Sequence, residues 1–309
     1  MASTKNIQHR PLVSIGIPTY NRADGYLREA LQSALRQAYD PLEIIVSDNG
    51  STDGTEQYVT NINDPRIRYF RQQEALSPND NFNFCLNKAQ GVYFLLLHDD
   101  DIIDDDFIEA CMNTAGHGDE VGVIRTGTRI IDARSRAVRN IPNQIAEDSP
   151  TALCRAWFNG KISFYFCSTL YNTQRLKQNG GFYSKHNLLQ DCSAIIELAV
   201  QAKRIDIAEV KASFREHANY VLYGRILKRW VEDFLWLLDR ICWMIPEDAA
   251  ALRSQGARFF SALNYKRARV IASPLKRVIA HFYVFRKFGY KYPPPQIGNR
   301  LRRLTSNNI

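Results

Sequence analysis

Val92-Tyr93-Phe94-Leu95-Leu96-Leu97-His98-Asp99-Asp100-Asp101 joins six apolar residues directly to a histidine and three carboxylates. A run that is apolar at every position suits a strand covered on both faces, as in a parallel sheet. Three adjacent carboxylates repel one another, and placing them straight after a buried strand is unfavourable unless a cation or a helix cap is present. A hard divalent ion such as Mg²⁺ or Mn²⁺ takes one or two carboxylate oxygens and fills its shell with water and phosphate oxygens. The competing reading is a helix N-cap, with Asp104–Asp106 capping a helix that starts near Phe107.

Upstream of this stretch, strand and helix signals alternate. Leu12–Ile17 is a short run rich in β-branched residues that ends at Pro18. Leu27, Ala30, Leu31, Ala34, Leu35 and Ala38 recur at helical spacing. Glu43–Val46 reads as a second strand bounded by Pro41 and the Asn49-Gly50 turn, and Ile67–Phe70 as a third. Thr55–Ile62 and Asn81–Ala89 read as helices. This βαβαβ rhythm predicts an open α/β sheet whose ligands lie beyond the carboxyl ends of the strands. Three such ends carry polar clusters: Thr19-Tyr20-Asn21-Arg22, Asp48-Asn49-Gly50-Ser51 and His98-Asp99-Asp100-Asp101.

Downstream, residues 104–220 give a mixed pattern, with Gly180-Gly181 marking a loop and Leu188–Ala202 a helix. Leu227, Trp230, Val231, Phe234, Leu238 and Ile241 form a helical stripe, and Ser273-Pro274 has the form of an N-cap followed by Pro at the first helical position. The last dozen residues read as loose.

The chain has 309 residues, 45% of them hydrophobic, which is enough for a substantial core. Its six cysteines lack a zinc spacing, and their scatter suits reduced, mostly buried thiols. No uncharged apolar run reaches the ~18 residues of a membrane span. The net charge of +8 is uneven: residues 221–309 hold 17 Lys+Arg against 5 Asp+Glu, whereas residues 1–220 hold 23 against 27. No acid follows Asp248. The asymmetry points to an anionic partner for the C-terminal part. Two readings stand for that part. One is an interfacial helix, with Phe282, Tyr283, Phe285 and Phe288 beside Arg286 and Lys287, on anionic lipid. The other is a solvated basic face with an aromatic stripe buried against the rest of the protein.

Pro18-Thr19-Tyr20-Asn21-Arg22, the segment Glu43–Thr55 with Asp48-Asn49-Gly50-Ser51-Thr52-Asp53-Gly54, and the Leu97–Asp101 cluster resemble, in order and spacing, the family 2 glycosyltransferases of GT-A fold. The resemblance is close over residues 11–110 and weaker to about 220. It implies a Rossmann-like, mostly parallel sheet forming a GT-A catalytic domain over 1–220. A nucleotide-sugar-binding half (11–110) would precede an acceptor half (111–220), with a helical basic extension over 221–309.

It also implies roles. Pro18, Thr19, Tyr20, Asn21 and Arg22 fall where the first strand end meets base and ribose. Asp48 matches the acid that accepts from the uracil N3–H, and Asn49 stands in place of a second acid. The Asp-X-Asp motif falls on His98-Asp99-Asp100. Asp100 and Asp101 are then metal ligands, Asp99 a ribose or metal-water contact, and His98 either a replaced ligand or a hydrogen-bonded strand-end residue. Asn81 and Asn83 are candidate base or phosphate contacts, with helix capping by Asp80 or Asn81 the alternative.

After Gly180-Gly181-Phe182, Gln190-Asp191 matches the position of the catalytic base, so Asp191 is either that base or a first-turn helix acid. In Phe214-Arg215-Glu216-His217, His217 is a candidate metal ligand and Arg215 a phosphate contact. The implied function is an inverting, Mn²⁺- or Mg²⁺-assisted transfer of a sugar from a nucleotide sugar, UDP-linked, to a hydroxyl of a glycan or lipid-linked glycan. The implied location is the cytoplasm or its membrane face. A degenerate GT-A domain that binds nucleotide sugar or docks on membrane as a scaffold is the alternative. A nucleotidyltransferase lacks its Gly-rich loop, and a Rossmann oxidoreductase lacks GxGxxG after the first strand.

Overall fold

The computed structural model describes residues 10–217 and 226–294. Strand β1 (Val13–Thr19), helix α1 (Leu27–Leu35), β2 (Leu42–Asp48), α2 (Thr55–Thr60), β3 (Ile67–Arg71), α3 (Pro78–Lys88) and β4 (Tyr93–Leu96) follow in that order. β3, β2, β1 and β4 lie side by side and all pair in parallel. Every residue of β1, β2 and β4 is buried, as in a parallel sheet covered on both faces, the polar Ser14, Thr19, Glu43, Ser47 and Asp48 included. Gly16 permits this packing, because a Cβ there would lie 2.7 Å from Cys85 Cβ and from the Phe94 ring.

The second half of the sheet is mixed. β5 (Ile102–Ile103), α4 (Phe107–Thr114), β6 (Val121–Ile131), β7 (Ala137–Ile141), α5 (Pro150–Phe158), β8 (Thr169–Asn172), α6 (Thr173–Gln178), α7 (Gln190–Gln201) and β9 (Lys203–Arg215) complete it. β8 joins β4 and β6 antiparallel, β9 runs parallel to β6, and β5 closes the edge antiparallel to β9. β6 is buried although it carries Arg125, Thr126 and Thr128. The Arg125 guanidinium donates to Asp206 at 3.0 Å and to the Ser163 carbonyl at 2.7 Å, and lies over the Phe164 ring. A buried charge that is paired and hydrogen-bonded in this way is tolerated.

Asp104, Asp105 and Asp106 do not cap α4 with their side chains, contrary to the sequence expectation. Their carboxylates pair with Arg129, Arg36 and Lys211, and the turn closes through the Asp104 carbonyl instead. Helix α3 is capped by Ser77, whose Oγ accepts from the Asp80 N–H with Pro78 in the first turn, rather than by Asp80 or Asn81. All six cysteines are free and buried.

The described residues divide into two compact units, one of 10–183 and 191–216, the other of 184–190 and 217–294. The second unit contains α8 (Leu227–Met244), α9 (Ala249–Arg269) and α10 (Pro274–Lys287). Ser273 caps α10, accepting from the Lys276 N–H with Pro274 following it. The expected boundary at 220/221 and the loose last dozen residues lie outside the described residues. No helix among the described residues is long and apolar enough to cross a membrane.

Candidate active site

The buried strand β4 delivers His98–Asp101 as a tight turn, closed by the Asp101 N–H to the His98 carbonyl at 3.1 Å. β9 holds the turn from behind: Arg215 N–H donates to Asp101 Oδ1 at 2.9 Å, and Arg215 Nε donates to the Asp100 carbonyl at 2.8 Å. β1 holds it from the side, with Thr19 Oγ1 donating to Asp99 Oδ2 at 2.8 Å and the Arg22 guanidinium 3.9 Å away. The first and fourth strand ends are thereby joined at a single point.

Burial, reinforced by the neighbouring Asp100 charge, pushes the Asp99 carboxyl up to about 6 despite the Thr19 hydroxyl. Burial and Asp100 likewise hold Asp101 well above the carboxylate range, against the Arg215 N–H and the Cys167 thiol. Asp99 and Asp101, raised in this way, ionise more readily beside a cation. One ligand atom each from His98, Asp100 and Asp101 lies within 4.8 Å of the others. The His98 ring sits between Phe82 (4.9 Å) and Phe166 (5.1 Å), and its Nε2 is buried without a hydrogen-bond partner. Burial lowers the His98 pKa and so favours neutral imidazole, the form that ligates metal. A neutral imidazole with one ring nitrogen in reach of two carboxylates fits a divalent cation, so these residues meet the chemical demands of the expected ion. His217 is not in this group and belongs to the second unit.

Several expected contacts are engaged elsewhere. Pro18 is buried within β1, paired with Ser47 of β2, and offers no open face. Asp48 is fully buried, with Oδ1 accepting from the Ser51 N–H (2.8 Å) and Oδ2 from the Tyr69 hydroxyl (2.6 Å). Its carboxylate shapes the turn after β2 instead of presenting a free oxygen to a base. The Asn49 amide clamps the Leu76 backbone through both its oxygen and its nitrogen. The Asn81 amide is buried and exchanges hydrogen bonds with Ser47. Asn83 brackets Phe182, donating to its carbonyl at 3.0 Å and accepting from its N–H at 2.8 Å. These four side chains are therefore braces, because burial forces each polar atom to find a partner within the protein. Arg215 is also corrected: fully buried, it bonds Asp132, Ser135 and Glu29 and lies 4.0 Å from the Tyr26 ring centroid, leaving no free face for phosphate.

Tyr20, Asn21 and Arg22 are the open members of the first motif. Tyr20 is 53% exposed. Asn21 has φ 52°, a left-handed conformation that its short polar side chain tolerates, and its Oδ1 accepts from the Thr52 N–H at 2.8 Å.

Asp191 lies in the first turn of α7, its Oδ1 accepting from the Cys192 N–H at 2.7 Å. Burial pushes this carboxyl up to about 6. It bears electrostatically on Tyr165, which also senses Cys167, and Cys167 shares a hydrogen bond with Asp101. Sequence reasoning missed Cys167, Tyr69 and Tyr165, for which the linear chain gives no signal because they reach the site only by folding. Asp53, which accepts from the Thr55 N–H at the start of α2 and from the Ala23 N–H, lay within a motif already quoted. Two surface clefts, one beside Gln90, Arg175 and Lys177 and one beside Ile145, Arg155 and Lys161, are lined by none of the expected site residues.

Acids at the carboxyl ends of β2 and β4, on either side of β1, stand where open parallel sheets bind their ligands. The Glycosyl transferase family 2 model matches residues 14–198, more than half of the chain, and the chain belongs to that family and is a glycosyltransferase. It is 28% identical over 236 residues to a GalNAc(5)-diNAcBac-PP-undecaprenol beta-1,3-glucosyltransferase of Campylobacter jejuni, covering 71% of this chain and 74% of that one. It is 39% identical over 105 residues to an uncharacterized glycosyltransferase of Haemophilus influenzae, covering 33% of this chain and 42% of that one, less than half of that relative's length. Among solved structures, the S. aureus TarS fragment 1–349 aligns with a TM-score of 0.63 at 18% identity, over 89% of this chain and 79% of that one. Mannosyltransferase PcManGT of Pyrobaculum calidifontis aligns at 0.55 and 18%, over 92% and 87%. The expected α/β fold of GT-A type, with helices at the C-terminal end, is the one observed.

Proposed function

We propose that the chain moves a sugar from a UDP-linked donor to a hydroxyl of a glycan or lipid-linked glycan, inverting the anomeric centre. The turn His98–Asp101 carries this reading: adjacent carboxyls, two of them held above their usual range, and a buried imidazole nitrogen without a hydrogen-bond partner suit a divalent cation and the diphosphate it would accompany. Solved forms of the TarS fragment hold UDP-GlcNAc or UDP, and PcManGT was solved with GDP-Man and Mn²⁺. The Campylobacter relative is named for a polyprenyl-diphosphate-linked glycan.

Asp100, Asp101 and His98 would hold the ion, Mn²⁺ or Mg²⁺, which would supply charge neutralisation for the departing diphosphate. An imidazole among the donors favours Mn²⁺, since Mg²⁺ prefers oxygen alone. Tyr20, Asn21 and Arg22 face the donor, and Asp99, steadied by Thr19, sits beside its ribose. Asp191 takes the acceptor proton while the acceptor oxygen bonds the anomeric carbon opposite the leaving group. The chain works in the cytoplasm.

Donor hydrolysis or transfer, screened across nucleotide sugars, is expected to require Mn²⁺ or Mg²⁺, to stop in EDTA, and to fall at least about 100-fold in Asp100→Ala. Undiminished turnover in EDTA overturns the metal assignment. Metal-dependent UDP binding without transfer to any acceptor hands the case to the scaffold alternative.

A further inference from the structure

Five of the eight most exposed large apolar side chains among the described residues belong to α10 and the turn that follows it: Leu275 (70%), Val278 (64%), Ile279 (59%), Phe282 (58%) and Tyr290 (54%). The first four stand at i, i+3, i+4 and i+7 and so share one helical face. Val284, on the opposite face, is fully buried, and Phe288 nearly so. The helix is thus apolar on two sides, and only one of them is covered. The expected stripe of Phe282, Tyr283, Phe285 and Phe288 is split between them.

Tyr290 completes the open face. Gly289 and Tyr290 take left-handed φ values of 70° and 59°, and the Tyr290 N–H returns to the Phe285 carbonyl at 2.9 Å. This reversal folds the Tyr290 ring back to 5.3 Å from Phe285 and 6.4 Å from Phe282. A phenol at the edge of an aliphatic patch suits a boundary between hydrocarbon and water.

We propose that this face docks on an anionic lipid surface, with α10 lying in the plane of the interface. The charges select that occupant. Lys276, Arg286, Lys287 and Lys291 are exposed around the patch, and no acid follows Asp248. A second copy of the chain meeting this face would set cations against cations, which disfavours self-association through it. The chain beyond Pro294 is itself cationic, with Arg300, Arg302 and Arg303, and offers no charge match either. With 14 residues, α10 is too short to cross a bilayer but long enough to lie along one. The inference concerns the second unit alone and does not rest on the sugar-transfer reading.

Co-sedimentation of the full chain with phosphatidylcholine vesicles, with or without about 40% phosphatidylglycerol, tests it. Wild type is expected to pellet with the anionic vesicles only, and to be released by about 0.5 M salt. The variant Val278→Gln/Ile279→Gln/Phe282→Gln is expected to lose at least about tenfold in partitioning, with its melting temperature and its donor hydrolysis unchanged. Wild type that stays in the supernatant with anionic vesicles overturns the proposal, as does a variant that pellets equally well. A wild-type dimer in light scattering that the variant abolishes, without vesicle binding, overturns it in favour of a second copy.

Discussion

Asp191 carries a pH signature that both activity and stability report. Burial holds its carboxyl up to about 6 in the folded chain, against an unfolded value near 3.9. As a base it works ionised, so kcat/KM is expected to rise with pH through about 6 and level off above it. Stability runs the other way. A carboxyl whose folded pKa is raised destabilises the fold when ionised, fully above pH 6 and not at all below the unfolded value. Two units of displacement correspond to a cost on the order of 2–3 kcal/mol. Asp191→Asn is therefore expected to abolish transfer and yet raise the melting temperature at pH 8, with no gain near pH 4. Melting curves at the two pH values check this, and an equal shift at both would show that burial is not the cause.

The loop that leads into α7 depends on α8. Asp233 is fully buried, and its carboxylate accepts from the His186 N–H (2.8 Å), the Leu188 N–H (2.9 Å) and the Ser184 hydroxyl (2.8 Å). Its removal strands the His186 N–H and the Ser184 hydroxyl and leaves the Leu188 N–H only its 3.0 Å bond to Ser184 Oγ; each donor left unsatisfied in the interior costs roughly 1–3 kcal/mol. Asp233→Ala is expected to cost about 3–5 kcal/mol in chemical denaturation. Because Asp191 follows two residues after Leu189, it should also lower kcat more than it raises the donor KM. A stable variant with unaltered kcat would mean that the loop holds its shape without this anchor. Asn83 does comparable work on α3, fixing the Phe182 backbone just after Gly181, whose φ of 80° bends the chain there.

For the molecule as a whole, bound donor and cation act as linked ligands. Whatever binds only the folded state raises its stability by RT ln(1 + [L]/Kd), about 2.7 kcal/mol at a hundredfold excess over Kd. UDP with Mn²⁺ is expected to raise the melting temperature by several degrees, while UDP alone or Mn²⁺ alone does little, because each leaves the other's charge uncompensated. Equal shifts with and without the metal would separate nucleotide binding from the His98–Asp101 turn.

The half of the sheet formed by β1–β4 was readable from residue order because its signals are local. Runs such as Ile15–Ile17 and Tyr93–Leu97 are apolar throughout, and Pro41, Asn49-Gly50 and Gly91 punctuate them. The second half was not readable in that way. β6 and β9 pair over some 80 residues of sequence separation and contain Arg125, Thr126, Thr128 and Arg204 as buried members, which erases the apolar pattern. The chain order alone named the glycosyltransferase motifs and placed acids at the strand ends, because strand and turn chemistry is local. Which polar side chains remain open to a ligand was settled by packing: Tyr20, Asn21 and Arg22 stay accessible, while Pro18, Asp48, Asn49, Asn81 and Asn83 are engaged within the fold. A buried amide or carboxylate must bond whatever lies nearest, and that neighbour is set in three dimensions.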